Sequence, residues 1–218
     1  MEGAEEKLES FFSQFRRLAY KKQEVILRAD DTPSSVYYIF KGYIRLYSIS
    51  ETGQELTLIL LKPGDFFPLR WAITGENNTY ACDTITNAEV GKVPRDKFIE
   101  FIQANPDVVY ELLSKVLVRL GGLLERMEYL VFGNAYQKVA SILVICAERF
   151  GSEKGKKILI KVPLTHKDIA NLIGLTRETT SLELKKLENL GVCEKEGRHM
   201  IINNLEKLKN EANWYKFV

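Results

Sequence analysis

The sequence predicts an α+β protein: an antiparallel sandwich or small barrel first, a long helix next, and a small helical module with a short sheet last. Three observations carry this. Residues 25–93 break into short runs rich in Val, Ile, Tyr, Phe and Thr, separated by the turn signals "DDTPSS", "ETGQ", "KPGD" and "GENN". From about Pro94 the apolar residues recur at helical spacing. Near the C-terminus two short helical patterns flank a glycine and precede an alternating run.

In chain order, Leu8, Phe11, Phe12, Phe15 and Leu18 predict one amphipathic helix over residues 5–19. The runs "EVILR", "SVYYIF", "GYIRLYSI", "ELTLILL", "TYACDTIT" and "AEVGKV" predict strands without intervening helices. "RDKFIEFIQAN" predicts a short helix, and Pro106 suits the first position of a longer one. There Val109, Leu113, Val116, Leu120, Leu123, Met127 and Leu130 step by 4, 3, 4, 3, 4, 3. That is a coiled-coil seam of about 33 Å, which fits a homodimer or a helix packed on its own domain. Tyr110, Leu117, Leu124 and Val131 supply a second stripe suited to the chain's own barrel. Gly121 and Gly122 weaken this helix by about 1 kcal/mol each. Phe132-Gly133-Asn134 reads as a stop and hinge with a left-handed residue. "AYQKVASILVICAERFG" predicts a buried helix, "KKILIKV" a strand, and "GVCEKEGRHMIINN" a two-stranded wing turning at Glu196-Gly197. The tail "NNLEKLKNEANWYKFV" predicts a helix with an aromatic end.

Composition narrows the function. The 218 residues are 45% hydrophobic and 28% charged, the profile of an ordinary globular protein. No apolar run reaches membrane-spanning length, and the acidic "MEGAEEKLES" is unlike a secretory signal, so a cytoplasmic protein without membrane contact is expected. Cys82, Cys146 and Cys193 are odd in number and far apart, which fits a reducing compartment. They form no cluster motif, so neither an iron–sulfur cluster nor a haem is expected, nor any other resident cofactor. Cys82 reads as a structural thiol, with a redox role as the alternative. Only His166 and His199 are available as imidazoles, both outside the strand region, which disfavours a metal enzyme there. No nucleophile elbow, phosphate loop or HExxH motif occurs, so no catalytic residue or metal site is assigned. Residues 134–218 hold 15 Lys and Arg against 10 Asp and Glu, a basic segment behind an acidic one.

The segment "LTHKDIANLIGLTRETTSLELKKL" carries the chemistry. Thr165 and Asp168 have capping-box spacing, and Gly174 falls where the turn needs positive φ. Thr180, Leu184 and Leu187 share one helix face, which turns Glu178, Leu182 and Lys185 outward. Thr176 as N-cap puts Arg177 in the first helical turn, where the backbone is already partly positive. A guanidinium there calls for a strongly negative partner. Duplex DNA is one: Arg pairs with guanine O6 and N7, and Glu accepts from cytosine N4. Solvation of a plain helical hairpin is the bland alternative.

With those residues in view, the chain resembles the CRP/FNR superfamily of bacterial transcription regulators. "VYYIFKGYIRLY", "ETGQELTLILLKPGDF", "VPRDKFIEFIQANPDV" and the segment above fall in the family's order along almost the whole chain. The resemblance implies an antiparallel β-roll (double-stranded, jelly-roll-like) sensor over residues 1–105, a dimerisation helix over 106–133 and a winged helix-turn-helix over 134–218. It implies a homodimer on a pseudo-palindromic duplex, with RNA polymerase as a further partner of such regulators. Arg177 and Glu178 match the family's base-reading pair, Ser181 a position that contacts DNA in some branches, Thr165 and Lys167 phosphate contacts, and Arg198 lies in the wing. Thr176, Leu182 and Lys185 complete the expected DNA face. Leu182 departs from the family's usual arginine and fits a thymine methyl instead.

The family's founding branch binds cyclic AMP through a cassette that should follow Gly64-Asp65-Phe66. Here Pro68-Leu69 stands for Gly-Glu, Asn78-Thr79 for Arg-Ser, and Leu123-Leu124 for the Thr-Ser pair that reaches adenine. A buried cyclic phosphate would lack its charge partner, at a cost of roughly several kcal/mol. The expectation is an effector pocket lined by Phe67, Leu69, Trp71, Asn78, Leu123, Leu124 and Met127, with Arg70 as cation and Thr79 as hydroxyl, suited to a small aromatic or carboxylate effector. The alternatives are that these residues are barrel core, or that Arg70 binds a cyclic nucleotide from another angle.

Overall fold

The computed structural model describes residues 3–213 and divides into two compact units, residues 1–118 and 119–218. In chain order the first holds α1 (Ala4–Ser13), β1 (Arg17–Tyr20), β2 (Val25–Leu27), β3 (Val36–Lys41), β4 (Ile44–Ile49), β5 (Glu55–Leu61), β6 (Phe66–Phe67), α2 (Leu69–Thr74), β7 (Ala81–Thr84), β8 (Ala88–Val93), α3 (Arg95–Ala104) and the start of α4 (Pro106–Phe132). Its strands form two antiparallel four-stranded sheets, β1-β8-β3-β6 and β2-β7-β4-β5. Ile39, Ile44, Phe67, Cys82 and Val90 pack between them, with Tyr37 stacked on Phe67 at 5.3 Å. Alternation along a strand sends neighbours to opposite faces. Tyr38 and Phe66 therefore join a second core with Phe12, Phe98, Val108 and Leu112 on the helical side. Gly42 turns β3 into β4 at φ +89°, where a Cβ would lie 2.3 Å from the Asn87 carbonyl oxygen.

Four expectations need correction here. The first helix ends at Ser13, and Leu18 lies in β1, because Arg17–Tyr20 pair with Ala88–Gly91. A helix does interrupt the strands, at Leu69–Thr74, so the stretch beside the cassette is helical rather than extended. On α4 the residues buried on the first unit are Val108 and Leu112. The stripe expected to pack there, Tyr110, Leu117, Leu124 and Val131, is exposed. It lies beside Val109, Leu113, Val116, Leu120 and Met127, also exposed, so one broad apolar face runs along the helix. Finally, α4 stops at Phe132 without a left-handed residue: Asn134 is extended and caps the next helix through a box with Gln137.

That helix is α5 (Ala135–Phe150), and the second unit continues with β9 (Gly151–Lys154), β10 (Lys157–Ile160), α6 (His166–Ile173), α7 (Arg177–Asn189), β11 (Cys193–Glu196), β12 (His199–Ile202) and α8 (Leu205–Ala212). Every residue of α5 from Val139 to Ala147 is buried, as its near-continuous apolar run requires, against α6, α7, α8 and β10. The expected two-stranded wing is half of a four-stranded sheet, β11-β12-β10-β9, because Ile158 and Leu159 also pair with β12. The aromatic residues expected to end the tail helix lie outside the described residues.

Candidate nucleic-acid interface

The pair α6 and α7 is built as its sequence requires. Thr165 Oγ1 accepts from the Asp168 N–H at 3.1 Å, and Asp168 Oδ2 accepts from the Thr165 N–H at 2.8 Å. Gly174 closes α6 at φ +64° by donating its N–H to the carbonyl of Ala170, which is fully buried. Thr176 caps α7 by accepting from the Thr179 N–H at 3.1 Å, and Thr180 Oγ1 donates to the Thr176 carbonyl at 2.8 Å. Thr180, Leu184 and Leu187 face the core with 0%, 1% and 0% exposure.

The opposite face is open. Arg177 and Glu178 are exposed, and no described residue is hydrogen-bonded to either side chain. Leu182 is 66% exposed, a leucine with no packing reason to be there. Lys185 is exposed and pairs with Glu188 at 3.3 Å, while Lys167 and Arg198 are exposed and bonded to no carboxylate among the described residues. Ser181 is half-buried and engaged: its Oγ lies 2.8 Å from the Arg177 carbonyl and 2.8 Å from His166 Nδ1. His166 was not among the expected site residues; its separation of fifteen positions from Ser181 leaves no local pattern to find. Burial, then Lys195, lowers the His166 pKa, with Arg177 acting the same way and Glu188 opposing.

The residues of the first unit expected around an effector lie on different faces of it. Phe67 lies between the sheets, whereas Trp71 and Leu69 pack in the helical core on the other side of β6. Arg70 is exposed and paired with Glu76, turned away from the barrel interior. Asn78 is buried but spends its amide on the Tyr80 and Arg28 carbonyls, at 2.5 and 3.3 Å, and Thr79 is exposed. Leu123, Leu124 and Met127 belong to the second unit, Leu123 half-buried, the other two exposed. A cavity of about 340 Å³ does exist in the first unit, but between α1, β3 and Lys115. Asp65 and Asp83 are buried in this unit, and Arg45, bonded to Asp83, is covered to nearly the same degree as Asp83. The covered cation of this unit, Arg45, is engaged by Asp83 and Glu55. Cys82 is buried, and burial pushes its thiol pKa strongly upward, which keeps the thiolate unpopulated. Among the described residues no cluster of three or more His, Cys, Asp and Glu is placed to hold a metal, and no helix is long and apolar enough to cross a membrane.

Comparison with known proteins fits this architecture. The Cyclic nucleotide-binding domain family matches residues 17–105, and the Crp-like helix-turn-helix domain family matches residues 137–211. The Transcriptional activatory protein AadR of Rhodopseudomonas palustris is 30% identical over 179 residues, spanning 80% of this chain and 74% of that protein. The chain belongs to the CRP/FNR family of transcription regulators. Another member, the Nitrogen fixation regulation protein FixK of Bradyrhizobium diazoefficiens, is 28% identical over 81% of this chain and 73% of its own. The fold of this CRP/FNR chain is also that of FixK2 from Bradyrhizobium japonicum, with a TM-score of 0.76 and 24% identity over 89% of this chain and 96% of that one. A CooA variant from Carboxydothermus hydrogenoformans superposes with a TM-score of 0.77 at 22% identity, covering 93% and 90%.

Proposed function

We propose that this CRP/FNR regulator is a homodimer that reads a pseudo-palindromic duplex with Arg177 and Glu178. The observation that carries the reading is Arg177 itself: capped into the first turn of α7, exposed, and without an acceptor among the described residues. The macrodipole opposes a cation there, and a guanine edge or phosphate reverses that penalty. Leu182 apposes a thymine methyl, so the half-site departs from that of relatives with arginine there. Thr165, Thr176, Lys167, Lys185 and Arg198 surround the pair and meet the backbone, which fixes register without reading sequence. The exposed face of α4 supports the dimer: two copies joined along Val109–Leu130 present two α7 helices to successive turns of one groove. RNA polymerase is the further partner of a regulator so placed.

Any effector of this protein is not a cyclic nucleotide held in the usual way. That reading is supported by the apolar space between the sheets and by the Arg70–Glu76 pair, which removes the alternative cation. Selection of the purified protein against random duplex DNA with no ligand added tests the function. A two-fold symmetric motif with G·C at one inner position of each half is the expected result, and a bound pool without symmetry or enrichment contradicts it.

A further inference from the structure

The first turns of α7 are held from α6 by a side-chain bond whose direction can be worked out by counting protons. His166, the first residue of α6, places Nδ1 2.8 Å from Ser181 Oγ. Ser181 Oγ also lies 2.8 Å from the Arg177 carbonyl oxygen. A hydroxyl has one proton to donate, and a carbonyl only accepts. If that proton went to a bare Nδ1, the carbonyl contact would be two oxygens facing each other with nothing between them. If it goes to the carbonyl, both contacts are hydrogen bonds, provided Nδ1 carries a hydrogen of its own.

We infer that His166 Nδ1–H donates to Ser181 Oγ while Ser181 donates to the Arg177 carbonyl, and that His166 is thereby a positioning residue for the DNA-reading turn of α7. This rests on the function proposed above. The turn at Gly174 joins α6 to α7 at one end, and the His166 bond ties the N-terminus of α6 to the second turn of α7. Thr165 and Lys167 flank the tie on α6, and Arg177 accepts at its far end through its backbone. The tie therefore sets the offset between the residues that meet phosphates and the residue that meets a base.

Two consequences follow from the chemistry. Nδ1 bears hydrogen in this neutral tautomer and in the imidazolium alike, so the tie persists through titration of the ring. Lys195 from β11 and Arg177 from α7 oppose charge on that ring and Glu188 favours it, and burial adds to the opposition. Ser181, for its part, has committed its proton within the protein, so it carries the tie and donates nothing to DNA.

The test has two arms on the full chain. Long-range proton–nitrogen correlation of the histidine rings, at a pH where they are neutral, reads the tautomer without DNA. His166 protonated on Nδ1 is the expected result, and protonation on Nε2 overturns the assignment. The second arm compares affinity for the duplex selected by the wild type with affinity for random duplex. His166→Ala is expected to lose about fivefold on the selected duplex, the value of one neutral hydrogen bond, and nothing on random duplex. His166→Asn, whose amide nitrogen reaches the place of Nδ1, restores the difference. An equal loss on both duplexes makes His166 a phosphate contact, and a failure of His166→Asn to restore removes the positioning role. If the wild type selects no sequence, the DNA-reading function fails, and the tautomer arm still decides whether the tie exists.

Discussion

The Thr179 N–H donates to Thr176 Oγ1 at 3.1 Å, and that bond makes Arg177 the first residue of a helix rather than the last of a turn. Everything proposed for the interface depends on this placement, because it aims the side chains of the first turn away from the core formed by Thr180, Leu184 and Leu187. Removing the cap in Thr176→Ala should cost about 1 kcal/mol of stability. Urea unfolding measures it, with Thr176→Ser near the wild type.

Arg177 itself works against the fold. Its charge lies at the positive end of the α7 dipole with no described carboxylate bonded to it. Arg177→Ala is therefore expected to leave the unfolding midpoint unchanged or raise stability by about 0.3–1 kcal/mol. A clear loss of stability would mean that the guanidinium has a partner within the protein and is not held for a ligand.

In the first unit, Arg45 donates to both oxygens of Asp83, at 2.7 and 2.8 Å, and to Glu55 at 2.7 Å, with its guanidinium 4.3 Å above the Tyr47 ring. The Arg45 side chain is 14% exposed and that of Asp83 12%. Burial disfavours the Arg45 charge, but its hydrogen bonds to Asp83 and Glu55 prevail and raise its pKa. Asp83→Ala leaves this cation with Glu55 as its remaining carboxylate partner, for a loss of about 1.5–3 kcal/mol, the value of hydrogen bonds to a charged group. Chemical denaturation checks the value, and Arg45→Met combined with Asp83→Leu should recover much of it.

Acid should weaken the second unit partly through His166. Its folded pKa lies below the ordinary imidazole value of 6.5, from burial first and then Lys195 and Arg177, with Glu188 opposing. The unfolded chain therefore takes up the proton more readily. This contribution is fully present above pH 6.5 and is lost as pH falls through the folded value. Thermal unfolding as a function of pH should show a shallower acid slope for His166→Asn than for the wild type; identical slopes would contradict it.

The apolar face of α4 makes a prediction of its own. Leu120 is 49% exposed on that face. Leu120→Asp should yield a folded monomer by sedimentation with unchanged helix content. A variant that stays dimeric would put the interface elsewhere.

What was legible in the sequence was local. Thr165 with Asp168, Gly174, and the Thr180–Leu184–Leu187 face each depend on a few neighbouring residues, and the structure shows all three as expected. The errors arose where distant pairing decided. Phe15 and Leu18 continue a helical spacing, yet strand β8 draws Arg17–Tyr20 into a sheet. Phe66 and Phe67 are alike in sequence, and only the pleat of β6 sends one to the helical core and the other between the sheets. That division separates Phe67 from Leu69 and Trp71. Arg70 looked like an available cation because its spacing to Glu76 spans the α2 turn, which the sequence did not announce. The His166–Ser181 bond crosses from one helix to another and has no linear signature.

The most direct measurement is the affinity of Arg177→Ala for the selected duplex and for duplexes changed one base pair at a time. A loss of about 1–3 kcal/mol on the selected duplex is expected, with loss of discrimination at a single base pair in each half-site. An equal loss on every sequence, with discrimination intact, would make Arg177 a phosphate contact and contradict the central claim.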